Sequence, residues 1–396
     1  MRNGRKTFFL VVAVILSAGE GFAQGHQHGT AAMADGTFNP SLISDPRGRF
    51  YLAYIARANG VSNVMLRDSA DGRTFSQPVR VNDVDGDAAV RNENPPKIAI
   101  ATNGNLYVCW ANEHERWKGN IRFARSTDGG KTFSSAMTLN SDADGAPKGH
   151  AFQSLAVDQR GKIYIAWIDE RNKRETDRGA EIWLSVSEDQ GKTFSRNRRI
   201  LSDVCECCRT SIQIDSKGRL YLSYRTVPAT GLMYRDIIVA RSADGGRSFQ
   251  KTVVSRDHWD INACPVAGPS LCIDRQDRID VLWFTGGDDH PGLYYASSSD
   301  HGLSYSPRQV IDPDLKFGKH AQAITRSDGR LLVTWEDQVE KPVIFWGILD
   351  PGKGLLYKSA ARPQLSYPAI AADAKTVVVG GLQGSNEIRL EAESIQ

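Results

Sequence analysis

The sequence predicts an all-β chain built as a β-propeller of six or seven blades, with the repeat count favouring seven. Three observations carry that reading. A turn motif recurs five times at near-constant spacing, a dense apolar strand recurs seven times, and no long amphipathic helical run interrupts them. Self-similarity at a fixed period is the signature of one supersecondary unit repeated along the chain. The abundance of turn formers in 396 residues (36 Gly, 16 Pro) agrees with it.

The turn motif reads Ser-x-Asp-x-Gly-x-Thr/Ser-Phe/Tyr in segments 126–133, 187–194, 242–249 and 298–305, and one residue shorter in 69–75. Its carboxylates, Asp71, Asp128, Asp189, Asp244 and Asp300, lie 55–61 residues apart, longer than helical-solenoid repeats and suited to four strands plus loops. The Asp accepts hydrogen bonds from backbone N–H groups just ahead of it, and Gly supplies a left-handed backbone position. The closing ring packs beneath the turn. These residues therefore read as structural.

The second repeat is a strand apolar on both faces, in segments 49–54, 105–110, 162–167, 219–224, 278–283 and 330–335, with a weaker seventh at 375–380. Such runs belong to strands covered on both sides. Radially stacked blades provide that cover. The chain divides into residues 1–23, 24–37 and 38–396. The first has basic residues before the apolar run Phe8 to Leu16 and small residues at Gly21 and Ala23, which predicts a signal peptide cleaved before Gln24. Residues 24–37 are a candidate for the fourth strand of the last blade, closing the ring, and residues 38–396 form the propeller. The mature protein is expected to be exported, periplasmic or secreted, with no membrane span. Formal net charge is +3 for the whole chain, and removal of the leader takes away three of the basic residues. That balance predicts no nucleic-acid partner.

The five boxes resemble the Asp-box (BNR) repeats of the sialidase superfamily, and the pattern covers nearly all of the mature chain. The resemblance implies a site on the rim opposite the boxes. It also implies an exo-α-sialidase type of glycoside hydrolase, with arginines gripping a carboxylate, a Tyr nucleophile assisted by a Glu, and an Asp acid/base. Tyr367, in Ser366-Tyr367-Pro368, resembles the last-blade tyrosine, and Arg225 follows a blade strand as a family arginine does. The family's first arginine has no counterpart, since the nearest segment is Phe38-Asn39-Pro40-Ser41. On that rim the sequence offers Tyr367 as nucleophile and Glu113, Asp169 or Glu170 as the carboxylate. Arg171, Arg209 and Arg225, with His150 and His320, are the substrate-binding candidates. No cofactor is required by this reading.

Of six cysteines, Cys109 and Cys272 lie in apolar strands and read as core. Cys205, Cys207, Cys208 and Cys264 lie in loops that lead into adjacent blades, and suit two disulfides in an exported protein. A soft-metal or redox site is the alternative, because thiolates select copper(I) or zinc. Three functions stay open: a sialidase-like hydrolase, a non-catalytic propeller binding glycan or protein, and a Cys/His metal or redox site.

Overall fold

The computed structural model describes residues 34–395 except 92, 116, 147, 175, 288, 289, 316 and 339, so the expected signal peptide and residues 24–33 lie outside the described residues. Every regular element among the described residues is a strand. The strands form seven antiparallel sheets: residues 36–80, 97–138, 150–204, 211–255, 270–310, 318–363 and 365–394. These are seven blades. Five boxes alone leave the number at six or seven; the sheets make it seven.

Within each blade the chain runs in sequence order from the first strand outward, and the first strands neighbour one another in ring order, the seventh returning to the first. The apolar repeat supplies the second strand. Leu106–Ala111, Ile163–Asp169, Leu220–Arg225 and Ile279–Thr285 are buried at every position. Trp110, Trp167, Trp283 and Trp335 stand near the ends of four second strands, each at most 1% exposed. Seven hydrophobic clusters fill the gaps between successive blades, the one between blades seven and one joining Leu42, Phe50 and Tyr54 to Ala369, Ala371 and Val378. Burial on both faces is thus what this layered packing demands of the sequence.

The boxes lie in the turn between third and fourth strands. In the second, Asp128 Oδ1 accepts from the N–H groups of Lys131 and Thr132 (both 3.0 Å), and Thr132 Oγ1 donates to Oδ2 (2.6 Å). Gly130 N donates to Ser126 Oγ, 2.9 Å away. Equivalent donors, led by Thr74 N in the first box and Ser304 Oγ in the fifth, hold the carboxylates of Asp71 and Asp300 down at about 2.

Of residues 24–37, expected to close the ring, only 34–37 are among the described residues. Residues 36 and 37 do not add a strand to blade seven; they begin the first strand of blade one, Gly36–Ser44, paired with Phe50–Ala58. Among the described residues blade seven has three strands, Leu365–Ala372, Thr376–Gln383 and Glu387–Ser394. Among the described residues the ring is latched by Thr37 N donating to Asn386 O (2.8 Å), Ile388 N to Thr37 Oγ1 (2.8 Å), and Asn386 Nδ2 to Asp35 O (2.8 Å). A Cβ on Gly36 would lie 2.1 Å from Asn386 O. Gly36→Val is therefore expected to open this latch and cost about 2 kcal/mol, read as a lower midpoint in urea unfolding; an unchanged midpoint would show that the latch bears no load.

Candidate functional site

The rim opposite the boxes gathers the segments leading into each first strand and those leaving each second strand. Four first strands share one device there. Pairing skips two residues at Asn39-Pro40, Phe152-Gln153, His320-Ala321 and Tyr367-Pro368. In each, the first residue has a left-handed backbone: φ is 56° at Asn39, 54° at Phe152, 55° at His320 and 53° at Tyr367. Bulges re-aim side chains, and left-handed non-glycine residues concentrate at functional sites.

The bulged residues meet partners from other blades. The His320 imidazole sits between two carboxylates, with Nε2 2.5 Å from Glu93 Oε1 and Nδ1 2.7 Å from Glu336 Oε2. Glu336 Oε2 also accepts from Tyr367 N (2.9 Å), and the His320 and Tyr367 rings stack with centroids 4.7 Å apart. Arg209 brings Nε to 3.8 Å from Glu93 Oε2 and donates from Nη2 to Ala321 O (3.3 Å). Blades two, four, six and seven thus converge on one buried cluster, with Tyr367 the partly exposed member. Burial opposes charge on His320, but Glu93 and Glu336 outweigh it and raise its pKa above 6.5. Burial likewise opposes ionisation of Glu93, but His320 and Arg209 hold its carboxyl below 4.5. Both shifts favour an imidazolium between two carboxylates.

Side chains on the first strands also stitch the ring. Asn39 Nδ2 donates to Arg91 O (2.6 Å), Gln153 Nε2 to Pro95 O (2.9 Å) and Gln322 Nε2 to Pro368 O (2.6 Å). The segment Phe38-Asn39-Pro40-Ser41 therefore places an amide at the bulge of blade one.

The family model of the BNR repeat-like domain matches residues 84–378. The chain belongs to the BNR repeat-like family. No curated protein matches it. Among solved structures it is similar to an ulvan lyase bound to a GlcA–Rha3S repeat, at 13% identity and a TM-score of 0.57, over 91% of this chain and 96% of that one. It is also similar to the NanB sialidase of Streptococcus pneumoniae, at 11% identity and a TM-score of 0.53, over 92% and 93%. A Hadza microbial sialidase aligns at 14% identity and a TM-score of 0.52, over 84% and 74%. At these identities the likeness is one of fold.

In this BNR propeller the other sequence candidates are placed as follows. Glu113 accepts from Trp117 N (2.5 Å) and pairs with Arg91 Nη2 (3.2 Å), whose guanidinium lies over the Trp117 ring. Asp169 is buried; it accepts from Trp167 Nε1 (2.7 Å) and holds Arg171, whose Nη2 donates to Oδ2 (2.7 Å) and Nε to Oδ1 (2.9 Å). Arg171 lies over Trp183 at 4.0 Å. His150 gives Nδ1 to Gly119 O (2.7 Å) and turns Nε2 towards Asp142 and Asp169. Asp142, His150 and Asp169 could group around a cation, yet Arg171 already supplies the positive charge there. Glu170 pairs with Lys173 (3.2 Å), which also contacts Glu206.

Arg225 departs from expectation. It is fully buried, and its guanidinium donates to Ala267 O (3.0 and 3.1 Å), Arg235 O (2.7 Å) and Phe284 O (2.5 Å). Those carbonyls lie in blade five and in the loops between neighbouring strands, so Arg225 serves as a staple and offers no fork to a ligand. Glu93 and Glu336, which the sequence places on this rim without a catalytic or binding role, are the carboxylates nearest His320. Their only sequence signal is position: Glu93 precedes a first strand and Glu336 ends a second one.

The loop cysteines form one disulfide, Cys207–Cys264. Cys205 and Cys208 are buried thiols, so the expectation of two bridges is met by one. Cys109 and Cys272 are buried in the strands expected of them.

Proposed function

We propose that the protein is an exported carbohydrate-active enzyme of sialidase-like type, working at the mouth around Tyr367, His320, Glu336 and Glu93. One observation carries this reading: a buried imidazole held between two carboxylates and stacked on a partly exposed tyrosine. Such an array is costly to bury unless every charge is paired, and it suits proton management at a reacting sugar. Tyr367 is the group offered to substrate. His320 and Glu336 fix its ring and backbone, and Arg209 supplies positive charge for an acidic sugar. Glu113, paired with Arg91 on the same rim, is the candidate acid/base. The two sialidases and the ulvan lyase that share this fold act on glycans, which supports a glycan as partner. The apolar leader and the Cys207–Cys264 disulfide support export.

A second reading, glycan binding without turnover, is favoured by the arginines. Arg171 holds Asp169, Arg225 holds carbonyls, and Asn39 stands at the first-blade bulge. The test is hydrolysis of a fluorogenic sialoside, beside a panel of acidic and neutral polysaccharides, by the purified mature protein. Turnover is expected, and Tyr367→Phe is expected to lower kcat about 100-fold or more with binding retained. Saturable binding without turnover would establish the second reading; neither binding nor turnover across the panel would overturn both.

A further inference from the structure

The loop between blades three and four carries three sulfurs that the glycan-facing cluster does not use. With Cys264 they form a graded path from solvent inward: Cys264 is exposed, Cys207 half-buried, and Cys205 and Cys208 fully buried. Cys207 holds Cys264, Cys205 Sγ lies 3.6 Å from Cys207 Sγ, and Cys205 Sγ lies 3.0 Å from Cys208 Sγ. Each step inward is within reach of a small side-chain rotation, since a disulfide needs about 2.05 Å.

The surroundings divide the two thiols. Arg235 places Nη1 3.4 Å from Cys205 Sγ and is itself anchored on Ala263 O (3.0 Å) and Ile261 O (3.3 Å), in the loop that carries Cys264. Burial opposes a thiolate at Cys205, but Cys208, Arg235 and Arg225 outweigh it and hold the group at about 7. Burial pushes Cys208 well above the ordinary thiol value. The pair therefore offers one attacking thiolate first, with Cys208 protonated while Cys205 is ionised, an order that suits stepwise exchange.

We propose that these four cysteines form a thiol–disulfide exchange site, in which one disulfide moves between the Cys207–Cys264 bridge and the Cys205–Cys208 pair, and which meets an external thiol or disulfide at Cys264. In the first step the Cys205 thiolate attacks Cys207 Sγ. The Cys205–Cys207 bond forms, the Cys207–Cys264 bond breaks, and Cys264 leaves as a thiolate that takes up the proton Cys205 gave up. In the second, Cys208 loses its proton and attacks Cys205 Sγ. The Cys205–Cys208 bond forms, the Cys205–Cys207 bond breaks, and Cys207 accepts that proton. Two thiols and one disulfide stand on each side, so no oxidant is consumed. Movement inward unties the loop before blade four from the loop before blade five.

The cysteines at 205, 207 and 208 would also suit a soft metal by proximity. However, the Cys207 sulfur is committed to its bridge. The 3.0 Å separation of the other two is also shorter than the about 3.7 Å that tetrahedral zinc at 2.3 Å imposes on two thiolates.

The test equilibrates the full mature protein in a series of reduced and oxidised glutathione ratios. Acid quenching, alkylation and peptide mapping then report each cysteine, with Cys109 and Cys272 as internal thiol standards. At intermediate ratios the Cys205–Cys208 disulfide is expected to accumulate with Cys207 and Cys264 alkylated. Cys208→Ser is expected to trap the Cys205–Cys207 disulfide with Cys264 free. Thiols at Cys205 and Cys208 throughout, with the bridge intact, would overturn the proposal. So would two disulfides present at every ratio, or one equivalent of zinc or copper retained by the thiols after dialysis.

Discussion

His320→Gln is expected to lower turnover of the responsive glycan about 100- to 10,000-fold, the range for losing a positioned acid–base group. It should also lower folding stability by about 3 to 5 kcal/mol, because Glu93 and Glu336 become buried carboxylates without their shared cation. The same change should alter the pH profile of stability. The pKa of His320 is raised in the folded state, so its contribution is complete below its ordinary 6.5 and is lost as pH rises through the raised value. The carboxyl of Glu93 is lowered, so its contribution is complete above its ordinary 4.5 and is lost as pH falls through the lowered value. Urea unfolding across pH should therefore show a wild-type plateau between those two ordinary values and an alkaline decline that His320→Gln removes. Groups facing His320, namely Glu93, Glu336, Arg209 through Glu93, and the Tyr367 ring, set the size of the decline. Identical alkaline slopes in the two proteins would show that His320 is not held as the cation.

Arg225→Ala is expected to be the most destabilising change outside the mouth, by about 3 to 5 kcal/mol, since it deletes a buried charge and leaves carbonyl groups without donors. Arg225→Lys should recover little of the loss, because an ammonium cannot present the planar fork that reaches Ala267 O, Arg235 O and Phe284 O together. Denaturant midpoints give the stability, and kcat/KM on the responsive glycan gives the activity of the fraction that stays folded. A stable Arg225→Ala protein that has lost only glycan affinity would return Arg225 to the role of an anion clamp.

The contrast between these two residues shows where sequence reasoning stops. His320 enters a first strand and Arg225 leaves a second one, and both are polar residues flanking apolar runs on the same rim. His320 sits on a bulge that turns its ring towards Glu93 and Glu336. Arg225 ends an unbulged second strand, Leu220–Arg225, and is swallowed between blades four and five. No local pattern distinguishes them, since a bulge is a mismatch between two paired strands and so belongs to the pair. Arg171 shows the same limit: its fork is taken by Asp169 two residues earlier, through a turn visible only once the chain folds.

The sequence by itself determined the propeller, the five turn boxes and the strands buried on both faces. Those features repeat and arise from local turn chemistry and from burial on both faces, which leave a periodic record in residue order. Only the tertiary structure decided the seven-blade closure through Asn386, the meeting of Glu93, His320, Glu336 and Tyr367, and the pairing of Cys207 with Cys264 beside two thiols. Each of these joins residues from different blades, and ring closure, which brings distant loops to one mouth, leaves no period in the chain.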